Sequence, residues 1–103
     1  MILKEVEIGI MDIILPWSVL IVLDYLATTG PKSPKVIASE MNLAPRTVSF
    51  ALRRLTRAKL CHKTPNLQDM RQPIYHANIK RVAAFEKQIE QARIQARAHF
   101  RSM

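Results

Sequence analysis

The sequence predicts a mainly α domain carrying one small β-hairpin, an α+β arrangement that ends in a long C-terminal helix. Three observations predict it. Apolar residues recur at helical spacing over 16–28, 33–42 and 45–59. Two short β-prone runs, 60–64 and 73–78, flank the polar stretch 65–72. Residues 79–101 hold neither Gly nor Pro and are rich in Ala, Gln, Glu, Lys and Arg, all good helix formers except for their order of strength.

Residues 1–15 fit two patterns. Leu3, Val6, Ile10 and Ile13 step as a helix does, whereas Val6, Ile8 and Ile10 alternate with Glu7 and Gly9 as in a strand. The helical reading is favoured. So much Ile and Leu at a terminus asks for cover, which a second subunit would supply.

Pro16 opens the next helix, with Val19, Leu20, Leu23, Leu26 and Ala27 as its apolar stripe and Trp17 and Val22 beside it. Thr29-Gly30-Pro31 ends it, Gly for the turn and Pro beyond. Ser33 is placed to cap a helix that starts at Pro34 and runs to about Met41. Ile37, Ala38 and Met41 face inward, and Leu43 plugs the turn that follows.

Pro45 opens the third helix, 45–59. Val48, Leu52 and Leu55 make a thin buried edge. The outer face carries Arg46, Ser49, Phe50, Arg53 and Arg57 and no acid. Phe50 lies roughly 160° from the mean direction of the buried edge by helix geometry, so a groove contact and packing beneath the hairpin both stay open.

The runs Leu60–Thr64 and Pro73–Asn78 form a hairpin with a long polar tip, and Pro73 is tolerated at the start of an edge strand. In the last helix Val82, Phe85, Ile89, Ala92, Ala96 and Phe100 follow a near 3-4-3-4 spacing. A terminal helix in a 103-residue chain leaves little core for such a seam to face, so its expected cover is a second copy of the chain.

Formal net charge is +8, unevenly spread. Residues 1–30 are net −3 and residues 31–103 net +11. A basic face on one part of a domain is the footprint of a nucleic-acid binder. A single cysteine excludes an intrachain disulfide and fits a reducing compartment, so the expected location is the cytoplasm, at the nucleoid. The apolar run Ile13–Leu23 is interrupted by Pro16 and is shorter than the roughly 20 residues that span a bilayer. No membrane partner is expected.

The chemistry-bearing side chains argue against an enzyme. His62, His76, His99 and Cys61 are the strong nitrogen and sulfur ligands, without the spacing of a metal site. There is no Gly-rich phosphate loop, paired-carboxylate site or nucleophile motif. No cofactor and no metal are expected.

The order helix, helix, helix, hairpin, helix makes 33–42 and 45–59 a helix-turn-helix and the hairpin a wing. The stretch Leu15–Tyr75 resembles the winged-helix regulators of the MarR type, in particular their small archaeal members. The residues that carry the likeness are Leu15-Pro16-Trp17-Ser18, Lys35 to Met41, Pro45-Arg46-Thr47-Val48, Ala51 to Leu55, and Asp69-Met70-Arg71 at the hairpin tip. The resemblance implies that Asp69 holds the wing's shape and that Arg71 reaches the minor groove or its phosphates. Lys59 departs from it, standing where a Gly usually ends the recognition helix. The ends of the chain also lack the extra long helices of larger relatives.

The expected organisation is an N-terminal segment, 1–15, at a dimer interface; a winged helix-turn-helix, 16–78; and a dimerisation helix, 79–103. The expected function is a sequence-specific regulator that binds double-stranded DNA as a homodimer, with 45–59 in the major groove and 65–72 at the minor groove. Base-edge candidates are Arg46, Thr47, Ser49, Phe50 and Arg53, since Arg takes guanine bidentately and Thr, Ser or Phe can meet a thymine methyl. Phosphate candidates are Lys32, Ser33, Lys35, Arg54, Arg57 and Lys63. Two alternatives stand beside this: an architectural nucleoid protein, suggested by Arg93, Arg97 and Arg101, and a protein-interaction winged helix, suggested by the apolar N-terminus.

Overall fold

The computed structural model describes residues 15–101, with side chains described as far as Ala98. The segment 1–14 and the Phe100 side chain, both assigned above to a dimer interface, lie outside the described residues.

Helix α1 spans Trp17–Thr29. The Pro16 carbonyl accepts from the amides of Val19 (3.0 Å) and Leu20 (3.2 Å), so Pro16 caps the helix from outside it. At the other end Gly30 stands at φ 93°, in the region that favours glycine, and its N–H closes the last turn on the Leu26 carbonyl at 3.0 Å. Val19, Leu20, Ile21, Val22, Leu23 and Leu26 are all buried. A helix apolar on nearly every side must be covered on nearly every side. Here α1 is the central post of the domain.

Helix α2 is Pro34–Met41, and its N-cap Ser33 accepts from the Val36 amide at 3.4 Å, as its sequence requires. Asn42, left-handed at φ 54°, ends it, and the Leu43 amide reaches back to the Ala38 carbonyl at 3.0 Å. Helix α3 is Pro45–Arg57.

The α3 terminus shows how the chain manages without the usual glycine. Lys59 itself takes the left-handed conformation, at φ 61°. Its N–H bonds the Thr56 carbonyl at 3.1 Å, and the Leu60 amide bonds the Leu55 carbonyl at 2.8 Å. Leu55 and Leu60 are both fully buried. That pair of bonds with an apolar clasp is the Schellman arrangement. Burial of Leu60 holds Lys59 in a backbone region that costs a non-glycine residue about 1 kcal/mol.

Strands β1 (Cys61–Thr64) and β2 (Ile74–Ala77) pair antiparallel, with Cys61 opposite Ala77 and His62 opposite His76. Cys61, Tyr75 and Ala77 belong to the side that meets the core. A contact that the sequence does not announce lies at the hairpin's outer edge. Lys32 exchanges backbone hydrogen bonds with Tyr75, at 2.9 and 3.2 Å, and so adds a one-residue strand to the wing. One bridge has no periodicity to read.

The C-terminal region is helical throughout but not uniform. A short α4 (Ile79–Val82) passes through a 3-10 turn, Ala83–Phe85, into α5 (Glu86–Arg101). The dimer-interface assignment of Val82, Phe85, Ile89, Ala92 and Ala96 is corrected. Phe85, Ile89, Ala92 and Ala96 are buried in the chain's own core, with Val82 packed against it. Their cover is α1, the element α5 packs against most closely. The reason is the all-round apolarity of α1: one side takes α3 and the hairpin, and the other takes α5. Two apolar surfaces of one chain satisfy each other before any partner is needed.

Candidate nucleic-acid interface

The geometry of α3 separates its two faces cleanly. Val48, Ala51, Leu52 and Leu55 are buried, while Arg46, Ser49, Phe50, Arg53 and Arg57 are exposed. Thr47 and Arg54 sit half-buried at the margins. The exposed set is the one the spacing predicts. Pro45 at the first position leaves the helix N-terminus uncluttered, and the absence of acid along α3 keeps the face cationic.

Phe50 lies on the outer face of α3 and is 38% exposed. The Arg54 guanidinium lies over its ring, 5.7 Å from the centroid. A cation at that distance is attracted to the ring face.

Beside α3 runs an open groove of about 500 Å³, lined by Lys35 and Ser39 of α2, Pro45 and Ser49 of α3, and Gln72 at the base of the wing. The groove brings three elements to one surface. Ser33 and Lys35 sit at the start of α2, whose N-terminal dipole favours an anion. Lys32 is half-buried, tied by its backbone to the wing, and Lys63 is exposed on β1.

The wing tip is shaped by Asn66 and Asp69. The Asn66 side chain accepts from the Gln68 amide at 3.1 Å, and its carbonyl accepts from the Asp69 amide at 3.1 Å. The Asp69 carboxylate accepts from the Arg71 amide at 3.1 Å and from Arg71 Nε at 3.3 Å, while its carbonyl accepts from the Gln72 amide at 2.9 Å. One carboxylate thus fixes a turn and aims a guanidinium. The Arg71 side chain remains 91% exposed beyond it.

Other chemistry is sparse. His62 and His76 meet across the hairpin as stacked rings, with centroids 4.9 Å apart and planes within 4°. Thr64 Oγ1 shares a 2.8 Å hydrogen bond with His76 Nε2. Among the described residues no three His, Cys, Asp or Glu side chains gather to hold a metal ion. Burial pushes the Cys61 thiol up, against the smaller lowering effect of the Thr56 hydroxyl 3.5 Å away. A thiol buried in this way stays protonated at neutral pH. No helix among the described residues is long and apolar enough to cross a membrane.

The fold recurs in solved structures. A ZitR mutant from Lactococcus lactis superposes with a TM-score of 0.65 at 19% identity, over 88% of this chain and 61% of its own. YusO from Bacillus subtilis gives 0.63 at 22% identity, over 93% and 68%. A MarR family regulator from Neisseria meningitidis gives 0.60 at 26% identity, over 93% and 66%. The chain therefore spans about 61% of the length of the ZitR structure. No curated protein matches it. The MarR family model matches residues 15–72, which run from the residue before Pro16 to the end of the wing tip and take in the whole helix-turn-helix. By that match, and by a mainly helical fold with a two-stranded wing, the chain belongs to the MarR family of winged helix-turn-helix transcription regulators.

Proposed function

We propose that the chain binds double-stranded DNA as a homodimer and recognises a specific, roughly palindromic site, with α3 in the major groove and the wing at the minor groove. The observation that carries this reading is the outer face of α3, where Arg46, Ser49, Phe50, Arg53 and Arg57 are exposed together without an acid. Arg46, Thr47, Ser49 and Phe50, in the first half of the helix, and Arg53, just past its midpoint, take the base edges. Arg54, Arg57, Lys32, Ser33, Lys35 and Lys63 take phosphates, and these contacts set the salt dependence. Arg71, aimed by Asp69, enters the minor groove.

A two-fold dimer would set its recognition helices about 34 Å apart, one turn of DNA. With the α5 seam consumed by the core, the residues that support self-association are others. Ile94 is 51% exposed on α5. Leu3, Val6, Ile10 and Ile13 supply an apolar N-terminal segment. The architectural alternative drew on Arg93, Arg97 and Arg101. Arg93 is engaged by Asp24 and Glu90, which weakens that basic face.

Selection of bound duplexes from random DNA tests the reading. A sharp inverted repeat is expected, and Arg53→Ala relaxes the preference at one position in each half-site. Recovery of sequences with no common element would overturn it in favour of the architectural protein.

A further inference from the structure

Two apolar side chains stand at the wing tip, where a polar loop is expected. Leu67 is 90% exposed and Met70 is 68% exposed, the two most exposed large apolar side chains among the described residues. They flank Asp69, and the tip's backbone hydrogen bonds hold it in one shape, so neither side chain has core to fold back into. Two exposed apolar side chains close together on a fixed turn are placed to meet a partner's surface.

The neighbours define that partner's chemistry. Arg71 projects from the same tip, and Asp69, the tip's single acid, is spent on the Arg71 amide and Nε. The wing's base, at Gln72, lines the same groove as Ser49 of α3. A polyanion lying along α3 therefore meets the wing next. A cation paired with apolar tips fits the minor groove of a duplex, where Leu and Met side chains wedge between base steps and kink the helix.

We propose that Leu67, assisted by Met70, is a minor-groove wedge that partly unstacks one base step on the outer flank of each half-site and bends the DNA there. The proposal rests on the DNA-binding reading above. It adds a source of specificity that needs no hydrogen bond to a base. Pyrimidine–purine steps unstack most easily, so the wing selects for a TA or CA step by deformability.

The test uses the full chain and a duplex recovered by selection from random DNA. Permanganate reports unstacked thymines, and energy transfer between labelled ends reports bending. With the natural protein, one flanking thymine per half-site becomes reactive and the duplex bends by roughly 20–90°. The Leu67→Ser/Met70→Ser protein, altered only at exposed positions, loses both signals at saturating concentration, and Leu67→Met keeps them. Replacing the flanking step by a stiff AA step weakens binding of the natural protein about ten-fold, the scale of one disfavoured position. A natural protein that binds but leaves the duplex straight and unreactive overturns the wedge alone. A serine variant that bends DNA like the natural protein also overturns it and points to a protein or membrane partner for the tip. A natural protein that binds no duplex overturns the wedge and the DNA-binding reading together.

Discussion

Arg93 of α5 grips Asp24 of α1 with two nitrogens, Nη2 to Oδ1 at 2.7 Å and Nε to Oδ2 at 3.0 Å, and adds Glu90 at 3.1 Å. The bidentate geometry fixes orientation as well as contact. The hydrogen bonds Arg93 donates to the Asp24 carboxylate, more than the charge of that carboxylate, hold Arg93 firmly in its charged form. The pair pins the C-terminal helix onto the central one, beside the seam formed by Phe85, Ile89, Ala92 and Ala96.

Asp24→Asn keeps the shape and removes the charge. Because Arg93 is about half exposed, solvent screens the pair, and the expected loss is about 0.5–1 kcal/mol of stability at low salt, shrinking as salt rises. Ile89→Ala, by contrast, opens a cavity in the core and costs about 2–5 kcal/mol at any salt. Chemical denaturation at two ionic strengths separates the two. Equal salt dependence for both variants would contradict the assignment of the latch and the seam.

Lys59→Gly is expected to stabilise the fold. Lys59 is exposed and left-handed, so the change relieves backbone strain without opening a cavity. The gain is about 0.5–1 kcal/mol, which raises Tm by a few degrees in a domain of this size. Lys59→Val, a β-branched residue at the same φ, should lower Tm. Thermal unfolding of the three proteins gives the order Gly, Lys, Val if Lys59 is strained as described.

Asp69→Ala distinguishes a shaping role from a charge role. Removing an acid from the wing, which the proposed binding mode sets against DNA, should raise affinity by simple electrostatics. If Asp69 instead organises the wing, affinity falls, approaching the loss from Arg71→Ala. Arg71→Ala weakens binding across sequences and reduces the salt slope by about 1. Stability should change by less than about 1 kcal/mol in either variant, because the pair is exposed. Titrations over a range of salt, with unfolding measured alongside, decide between the two.

Alkaline pH should unfold the domain earlier than its surface charges require. Burial pushes both the Cys61 thiol and the Tyr75 phenol up in the folded state. The folded protein keeps these protons longer than the unfolded chain does. Their contribution is therefore complete below the unfolded thiol value of about 8.5 and declines as pH rises above it. Cys61→Ala removes the earlier part of that decline. Tm measured between about pH 8 and pH 10 should fall less steeply for the variant, and native Cys61 should resist thiol reagents until the protein is denatured.

The local rules were legible in the sequence because they are local. Ser33 before Pro34, Gly30 before Pro31, and the 3.6-residue recurrence in 45–59 each act within one or two turns, and the helices fall where they indicate. The MarR likeness, read over Leu15–Tyr75 and matched by the family model over 15–72, was legible from short motifs, and the Asp69–Arg71 pairing that it implies joins residues two apart in the chain. What the tertiary structure alone decided concerns contacts between distant residues. The seam of α5 reads as a dimer surface until α1 is seen to be apolar all round, and then it is a core surface. Ile21, buried opposite the Val19, Leu23 and Leu26 stripe of α1, carried that signal, because a helix apolar on two sides needs a second cover. Lys59 could be recognised as a departure, but only the burial of Leu60 against Leu55 shows that the chain accepts left-handed strain there. The Lys32–Tyr75 bridge and the Arg93–Asp24 latch join residues 43 and 69 positions apart. No short-range pattern encodes such pairs, since packing the core is what brings them together.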